Sequence, residues 1–346
     1  MGGGPEAWGM SDHEVLAKPE LDLVRLRREL FADDESCDVT VLVPAYNEAE
    51  SLPELTRRLH ESVGRMTERY EILVVDDGSH DDSDTVLRDL CAADSRVRVK
   101  RFLRNYGKSA ALAVGFSAAH GRVVVTIDAD LQDDPDEIPF LVARLADGWD
   151  LVSGWKQNRQ DPFVKTSTSK LFNAVTRRVS GLHLHDFNCG LKAYRRPVVQ
   201  SLRVYGELHR YLPVLAHVQG FRVTEMPVRH HERQFGVTKF GRSRFVNGLL
   251  DLLTVMFLSR QRTSPLHFFG RVGLAFGGIG SLLLFYFLGV WMVEHALRVR
   301  PLMLVGVAFV LIGVQFVSLG LLGELFVATR DTTGQYQFRD EDEDAA

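Results

Sequence analysis

Six carboxylates lie within the fourteen residues "TIDADLQDDPDEIP" (126–139), directly after the apolar run "RVVV". Like charges a few ångströms apart repel and raise one another's pKa, so this cluster needs a positive partner. Asp128 and Asp130 form a D-x-D pair of hard oxygen ligands. Mg²⁺ or Mn²⁺ binds such ligands while sharing its coordination with substrate phosphates. The segment therefore predicts a divalent cation that in turn holds a diphosphate.

A simpler interpretation is a solvated turn at the start of a helix, because carboxylates are favourable near helix N-termini. A D-x-D pattern on its own is common. This interpretation applies most directly to the four acids after the D-x-D pair, which are Asp133, Asp134, Asp136 and Glu137.

The elements that would position the D-x-D pair alternate between strands and helices. The runs "VTVLVPAYNE", "YEILVVDDGS", "RVRVKRFL" and "RVVVTIDAD" have the apolar, β-branched character of buried strands. Helical segments separate them, which predicts an α/β domain with a mostly parallel sheet covered on both faces. Ligands bind such sheets beyond the carboxyl ends of the strands. Three of those ends are polar here ("PAYNE", "DDGS" and "DADLQ"), which favours the cation over the solvated turn.

The usual phosphate-binding loops are absent from the sequence. No G-x-G-x-x-G follows the first strand, and G-x-x-x-x-G-K-[ST] occurs nowhere. A bound nucleotide would therefore need another group to meet the charge of its diphosphate. A cation on Asp128 and Asp130 would do so.

The overall composition limits the possible binding partners and the cellular compartment. The net charge is −4 over 346 residues, which indicates no nucleic-acid partner. The three cysteines have neither metal-ligand spacing nor an even disulfide framework, which favours a reduced, cytoplasmic setting. The segment "MGGGPEAWGMSDHEVLAKPE" lacks the apolar core of a signal peptide. We expect residues 1–37 to be a partly disordered extension and residues 331–346 to be an acidic cytoplasmic tail.

Two long apolar stretches, residues 266–293 and 302–328, each exceed the ~20 residues that cross a bilayer. They predict a pair of transmembrane helices within residues 263–330, preceded by an amphipathic interfacial helix at residues 245–262. Four arginines flank the outer ends of the pair and two flank its link, which favours a cell-membrane protein with both termini and the soluble domain in the cytoplasm. The alternative is a pair of buried helices in a soluble core.

A G-x-x-x-G pattern lies in the first apolar stretch. Its glycines are Gly273 and Gly277. The pattern is compatible with close helix packing and with a homo-oligomer.

Four motifs together resemble family 2 glycosyltransferases in order and spacing: "VPAYNEAESLPEL", "VVDDGSHDDS", "RNYGKSAALAVGFSAA" and "DADLQDDPDEIP". The resemblance covers about residues 38 to 330. It is greatest to the polyprenyl-phosphate glycosyltransferases, which include dolichyl-phosphate mannose synthases and undecaprenyl-phosphate glucosyltransferases. It implies an A-type glycosyltransferase fold, Rossmann-like and mostly parallel, over residues 38–244.

The resemblance also implies a nucleotide-sugar site and Mg²⁺ or Mn²⁺. It gives the principal metal ligand as Asp130, with Asp128 and Gln132 beside it. The residues it places around the nucleotide sugar are Pro44, Ala45, Tyr46, Glu48, Asp76, Asp77, Lys108, Asp128, Arg233 and Lys239. Pro44 and Tyr46 have an alternative role, which is to end a strand and pack.

The acceptor half would follow the D-x-D pair. Residues 161–181 are predicted to form a helix with Lys165 and Ser169 on one face. The resemblance assigns these two residues and His230 to the acceptor phosphate. The alternative is that Lys165 and Ser169 belong to an ordinary cationic helix face.

The resemblance places Asp186 beside the reacting centre. A monoalkyl phosphate has a second pKa of about 6 and is already a dianion at pH 7, so a base would add little. We expect Asp186 to orient the acceptor or tune a basic neighbour.

The densest basic stretch is "MPVRHHERQFGVTKFGRSRF". It matches the family pattern H-x-x-R-x-x-G-x-S/T-K through His230, Arg233, Gly236, Thr238 and Lys239. The resemblance implies that Arg233 and Lys239 compensate the charge of the departing diphosphate. The alternative, for Arg242 and Arg244 above all, is contact with an anionic membrane surface.

The resemblance implies inverting transfer of one sugar from a nucleotide sugar to polyprenyl phosphate at the cytoplasmic membrane face. A UDP-sugar is favoured and GDP-mannose is the alternative donor. A processive polysaccharide synthase of the same fold is disfavoured, because no Q-x-x-R-W motif occurs and two spans make a poor channel. A catalytically silent membrane scaffold is disfavoured by the intact charge cluster.

Overall fold

The computed structural model describes residues 18–19, 21–31, 37–157, 173, 176–178, 180–231, 265–295 and 300–328. They belong to two compact units, one within residues 1–255 and the other within residues 256–346. Several predicted features lie outside the described residues, namely the interfacial helix at 245–262, Lys165, Ser169, Arg233 and Lys239.

The first unit is built around a seven-stranded sheet. Its strands are β1 (Val39–Ala45), β2 (Tyr70–Asp76), β3 (Val97–Arg101), β4 (Val123–Thr126), β5 (Leu151–Lys156), β6 (Lys192–Arg195) and β7 (Val223–Val228). Their spatial order is β3-β2-β1-β4-β6-β5-β7. Within this sheet β6 is antiparallel to β4 and β5, and the other neighbouring strands are parallel. The predicted α/β fold with a mostly parallel sheet is confirmed.

Helices cover the sheet. The described helices of the first unit are α1 (Leu23–Leu30), α2 (Leu52–Gly64), α3 (Ser83–Ala93), α4 (Lys108–Ala118), α5 (Ile138–Ala146), α6 (Arg196–Ser201) and α7 (Leu212–Val218). Two short 3₁₀ turns, Pro135–Glu137 and Leu208–Tyr211, precede α5 and α7. All seven residues of β2 are buried, as expected for a parallel strand with helices on both faces.

The strand register brings the polar strand ends together. Ala45 of β1 lies opposite Asp76 of β2, and Leu42 lies opposite Thr126, the last residue of β4. The loops after β1, β2 and β4 therefore leave the sheet at the same edge. This edge carries the three polar signatures of the sequence.

Helix α1 belongs to the folded domain, although it lies within the predicted N-terminal extension 1–37. Asp22 Oδ1 caps it by accepting from the backbone N of residues 24 and 25. Leu26 and Leu30, four residues apart on one face, are buried in the core together with Phe31. This helix is ordered because its apolar stripe packs against α5.

The second unit consists of two long helices, α8 (Pro265–Glu294) and α9 (Pro301–Ala328). Their apolar segments have mean hydropathies of 1.9 and 2.5, and only 11% of the most apolar window of each is buried. By length and composition both are candidate membrane spans. Their exposure disfavours the alternative of core helices in a soluble unit.

Glycines allow α8 and α9 to approach closely. A Cβ added to Gly273 would lie 2.7 Å from the carbonyl oxygen of Gly313, and one added to Gly313 would lie 2.7 Å from the backbone N of Gly277. The G-x-x-x-G pattern is thus used for packing within the helix pair. Where the start of α8 lies beside the end of α9, Glu324 Oε2 accepts a hydrogen bond from the backbone N of Leu266 at 3.3 Å.

We predict that replacing Leu26 by Ala destabilises the first unit by about 2–5 kcal/mol, because it removes a fully buried side chain from the core. Val24→Ala is the control on the same helix, since Val24 is 79% exposed. Denaturant unfolding of the two variants measures the difference. Equal stabilities would contradict a core role for α1.

Candidate active site

A cavity of about 390 Å³ opens at the carboxyl ends of β1, β2 and β4. Its walls come from the end of β1, the loops after β2 and β4, the start of α4 and the turn before α7. Seven of the residues predicted for a nucleotide sugar line it, namely Pro44, Ala45, Tyr46, Glu48, Asp77, Lys108 and Asp128. The cavity lies where open parallel sheets bind their ligands.

The turn after β1 is held by the turn after β2. Asn47 has a φ of 56°, a left-handed conformation that asparagine tolerates. Its backbone N donates to Ser79 Oγ at 2.8 Å, and its side-chain Oδ1 accepts from the backbone N of His80 at 2.9 Å. Tyr46 meets the His80 ring edge-on, with 6.5 Å between centroids. Tyr46 is therefore fixed at the cavity wall.

The side chain of Asp76 stabilises the turn after β2. It is fully buried and does not line the cavity. Its Oδ1 accepts from the backbone N and the hydroxyl of Ser79, at 3.0 and 2.5 Å. Its Oδ2 lies 3.2 Å from Arg101 Nε. These contacts hold the turn after β2, whereas the resemblance placed Asp76 among the residues around the nucleotide sugar.

Asp77 lines the cavity and organises the loop that leads into α4. Its two oxygens accept from the backbone N of Tyr106 and Gly107, at 2.7 and 2.9 Å. The adjacent Gly78 has a φ of 70°, and a Cβ there would lie 2.5 Å from the carbonyl carbon of Arg104. The "DDG" sequence thus lets this loop pass close beneath the end of β2.

Lys108 begins α4 and supplies a positive charge to the D-x-D pair. Its Nζ donates to Asp128 Oδ1 at 2.5 Å. Asp77 places this lysine through the backbone of Gly107. The chain therefore provides part of the charge that the acids need.

The Asp128 carboxylate packs directly on the backbone of Gly190. A Cβ at Gly190 would lie 2.6 Å from Asp128 Cγ, so no larger residue fits there without displacing the carboxylate. Leu131 is buried with a φ of 58°, a strained conformation for a residue with a side chain. It reverses the chain just after Asp130. The sequence analysis missed Gly190, because this contact joins two loops that are far apart along the chain.

The donor set at the cavity fits a hard divalent cation that is completed by a substrate. Within the described ranges of the chain, no group of three or more His, Cys, Asp or Glu could hold a metal alone. Asp128 and Asp130 face the cavity and would hold Mg²⁺ or Mn²⁺ together with phosphate oxygens and water. Such a cation would stabilise negative charge on a departing diphosphate. Gln132 does not line the cavity, and its carbonyl accepts from the backbone N of His231 at 2.8 Å.

The far wall of the cavity was missed by the sequence analysis. It comprises Glu207, His209 and Arg210, in and beside the 3₁₀ turn before α7. His209 Nδ1 hydrogen-bonds to Ser109 Oγ at 2.9 Å, which ties this wall to α4. Arg210 Nη2 lies 2.8 Å from Glu207 Oε2. The segment "ELHRY" contains charged residues, but its sequence does not indicate that it lies at the edge of the sheet.

Three of the four acids after the D-x-D pair, Asp133, Asp134 and Glu137, are buried, and only Asp136 is exposed. Asp133 is 1% exposed, and its Oδ1 lies 2.8 Å from Lys156 Nζ and 3.4 Å from His230 Nδ1. Burial alone would raise the pKa of Asp133, but the charges of Lys156 and His230 outweigh burial and hold it below its usual value. Burial opposes the charge on Lys156 as well, yet Asp133 raises the pKa of this lysine. The solvated-turn interpretation is wrong here because the chain itself supplies the counter-charges.

Two more acids of the loop bind the segment after β7. Arg229 Nε lies 2.7 Å from Glu137 Oε1 and 3.6 Å from Asp134 Oδ2. His231 Nε2 lies 3.3 Å from Asp134 Oδ2. Lys18 Nζ reaches Glu137 Oε2 at 2.6 Å. The loop after β4 is thus joined to the chain segment that continues, two residues after His231, with Arg233.

His230, which was predicted for the acceptor phosphate, is largely buried in this network. It forms an isolated β-bridge with Asp133. Asp186, predicted beside the reacting centre, is also buried. Its Oδ1 accepts from the backbone N of Asn188 at 3.1 Å. Neither residue lines the 390 Å³ cavity.

Glu225 of β7 fixes the segment before Asp186. Its carboxylate accepts from the backbone N of His185 at 2.8 and 2.9 Å and contacts the His185 ring at 2.5 Å. Burial raises the pKa of Glu225, and its hydrogen bonds with His185 partly oppose that shift. The His185 ring stacks on Trp155, with 4.1 Å between centroids. The position of Asp186 is thereby coupled to β5 and β7.

Comparison with solved structures defines the fold. The chain is similar to glucosyl-3-phosphoglycerate synthase from Mycobacterium tuberculosis in complex with Mn²⁺, uridine diphosphate and phosphoglyceric acid. The TM-score is 0.54 at 19% identity over 70% of this chain and 84% of that chain. Mannosyl-3-phosphoglycerate synthase from Rubrobacter xylanophilus gives a TM-score of 0.54 at 21% identity, over 70% and 79% of the two chains. The predicted A-type glycosyltransferase fold is confirmed.

Sequence comparison gives the family. The model of glycosyl transferase family 2 matches residues 40–203. A dodecaprenyl-phosphate galacturonate synthase from Rhizobium johnstonii is 37% identical over 302 residues, 85% of this chain and 89% of that protein. An undecaprenyl-phosphate 4-deoxy-4-formamido-L-arabinose transferase from Salmonella choleraesuis is 39% identical over 289 residues, 83% of this chain and 87% of that protein. The chain belongs to glycosyl transferase family 2.

We predict that Gly190→Ala weakens Mn²⁺ binding by about tenfold, the effect expected when a residue that orients a metal ligand is changed. The added methyl group would collide with Asp128 Cγ. Gly64→Ala at the end of α2 is the matched control, because its nearest contact is 3.9 Å away. Electron paramagnetic resonance of free Mn²⁺ gives both affinities. An unchanged affinity in Gly190→Ala would contradict the assignment of Asp128.

We predict that Asp133→Asn destabilises the domain by about 3–5 kcal/mol at pH 7, because it leaves Lys156 buried without its counter-charge. The pKa of Asp133 is lowered by folding, so its contribution is complete above the unfolded-chain value of about 3.9 and declines as pH falls below it. The cost of the substitution should decline in parallel. Denaturant unfolding at several pH values measures it.

The control is Asp136→Asn in the same loop. Asp136 is 50% exposed and pairs with Arg65 at 3.3 Å on the surface, so its replacement should cost about 1 kcal/mol or less. Similar losses in the two variants would show that the buried pair has no special importance.

Proposed function

We propose that this protein transfers a single sugar, with inversion, from a nucleotide sugar to a polyprenyl phosphate at the cytoplasmic face of the cell membrane. The observation that carries the proposal is the D-x-D pair facing a 390 Å³ cavity at the sheet edge, in a chain with two candidate membrane spans. The two relatives named above, matched over most of the chain, are by name sugar transferases of polyprenyl phosphates.

The donor would occupy the cavity with its nucleoside between the turn after β1 and the loop after β2. Tyr46 and Asp77 line that part. The diphosphate would lie near Lys108, Asp128 and Asp130, where the lysine and the cation offset its charge. A UDP-sugar is the favoured donor and GDP-mannose the alternative. The wall formed by Glu207, His209 and Arg210 is then left for the sugar.

The acceptor phosphate would attack the anomeric carbon from the face opposite the nucleotide. A bond forms from a phosphate oxygen to that carbon, and the bond from the carbon to the nucleoside diphosphate breaks. The acceptor is already largely dianionic at pH 7, so no base has to remove a proton. Asp186 would orient the acceptor together with Lys165 and Ser169.

Arg233 and Lys239 would compensate the leaving diphosphate. Their proposed role is supported by the ion pairs that hold residues 229–231 on the loop after β4. His230 would lie near the acceptor phosphate as an extension of the same network. In this arrangement the acidic loop determines where the basic segment begins.

The helix pair would anchor the protein in the membrane that holds the polyprenyl chain, so that only the acceptor phosphate has to enter the site. Two candidate spans and the flanking arginines support a multi-pass membrane protein with both termini in the cytoplasm. A homo-oligomer stays a prediction, since the G-x-x-x-G glycines already pack within the helix pair.

The proposal predicts transfer of label to lipid. Purified full-length protein in detergent, with Mn²⁺ or Mg²⁺ and undecaprenyl phosphate, would be incubated with radiolabelled UDP-glucose, UDP-N-acetylglucosamine and GDP-mannose in parallel. One donor should label the lipid phase. Asp130→Ala should lower the rate by about a hundredfold or more, since it removes stabilisation of the leaving group. Asp136→Ala is the control from the same loop.

The outcomes separate the parts of the proposal. If nucleotide binds but no donor labels the lipid, the acceptor assignment fails. If no nucleotide binds, the enzymatic proposal fails and a membrane scaffold becomes the better interpretation. If Asp130→Ala retains full activity, the D-x-D pair does not hold the cation.

A further inference from the structure

A second, much smaller cavity lies beside the D-x-D pair. Its volume is about 10 Å³, close to what a single water molecule requires. Its lining is mixed, and its polar members include Asp128, Asn188, Lys192 and Tyr194. A cavity of this size holds water when two to four polar groups converge on it.

Tyr194 gives the second observation. The residue is 0% exposed, and its hydroxyl forms no hydrogen bond of standard geometry with any described residue. Burial raises the pKa of the Tyr194 phenol, and the neighbouring Thr126, whose hydroxyl donates to the carbonyl oxygen of Gly190 at 2.8 Å, only partly opposes that shift. Buried hydroxyls without a partner are rare, so this one calls for an occupant of the cavity.

Lys192 gives the third observation. It begins β6 opposite Thr126, and it is buried like Tyr194 two residues further on the same face of the strand. Its ammonium has three N–H donors, and one of them is donated to the carbonyl oxygen of Cys189. Because the cavity borders this side chain, a further N–H is available to an occupant.

We propose that a buried water occupies this cavity, accepts a hydrogen bond from Lys192 and one from Tyr194, and donates to the Asp128 carboxylate. Lys192 and Tyr194 are then positioning residues that act on Asp128 through the water. Lys108 holds the same carboxylate at Oδ1, and Gly190 supports it from beneath. The effect on cation binding rests on the proposed function, whereas the presence of the water does not.

The stability of Tyr194→Phe distinguishes a hydrated cavity from a dry one. If water is present, the substitution removes a hydrogen bond, and the Tm of the full chain should fall by about 2–4 °C. If the cavity is dry, the substitution removes an unpaired buried hydroxyl, and the Tm should stay or rise. A Tm that stays or rises overturns the proposal.

Tyr70→Phe is the matched control. Tyr70 is buried in β2, and its hydroxyl hydrogen-bonds to His60 Nδ1 at 2.8 Å. Its Tm should also fall, because a formed hydrogen bond is lost. Its Mn²⁺ affinity should not change, since Tyr70 lines neither cavity.

Two further measurements complete the test. A crystal structure of the full chain should show one density peak within hydrogen-bond distance of Lys192 Nζ, Tyr194 Oη and Asp128, and a structure without it overturns the proposal. The Mn²⁺ affinity of Tyr194→Phe should fall by about three- to tenfold, towards the effect of other residues behind metal ligands. A bound water with unchanged Mn²⁺ affinity would overturn the positioning role alone. A failed transfer assay with the water present would count only against the proposed function.

Discussion

Repulsion among the carboxylates after β4 is the constraint on which the rest of the site depends. The structure resolves it by separating the acids: Asp136 pairs with Arg65 at the surface, and the other five form two groups. Asp133, Asp134 and Glu137 are buried and lie against basic side chains from β5 and from the segment after β7. Asp128 and Asp130 face the cavity, where Lys108 offsets only part of their charge. The negative charge that remains at this edge of the sheet favours binding of a cation, which can in turn bind an anionic ligand.

The same ion pairs connect parts of the chain that are far apart in sequence. Replacing a buried pair by apolar residues often leaves stability unchanged, so the value of the Asp133–Lys156 pair lies more in where it holds the backbone. It joins the loop after β4 to β5, and His230 extends the connection to the segment after β7. The loop after β4 and the segment after β7 thereby share one network of ion pairs.

Local patterns predicted β1 to β4 and the polar sheet edge, because buried parallel strands appear in the sequence as continuous apolar runs. They did not predict β5, β6 and β7, which complete the sheet. They could not show that Asp76 lies outside the cavity, buried against Ser79 and Arg101. Gly190 and the wall around His209 were missed for the same reason: each meets the site through long-range packing that no local spacing encodes. The solvated-turn interpretation failed for Asp133, Asp134 and Glu137, because their basic partners come from distant parts of the chain.

Helix α1 has a consequence for how the protein is made. Its apolar face packs against α5, which leaves the ribosome more than a hundred residues later. At 5–20 residues per second, that interval is roughly 6–20 s. Leu26 and Leu30 must remain unburied, or be shielded by chaperones, during this time. The packing of α1 is therefore completed only after α5 has been made, and α8 emerges only after another hundred or so residues.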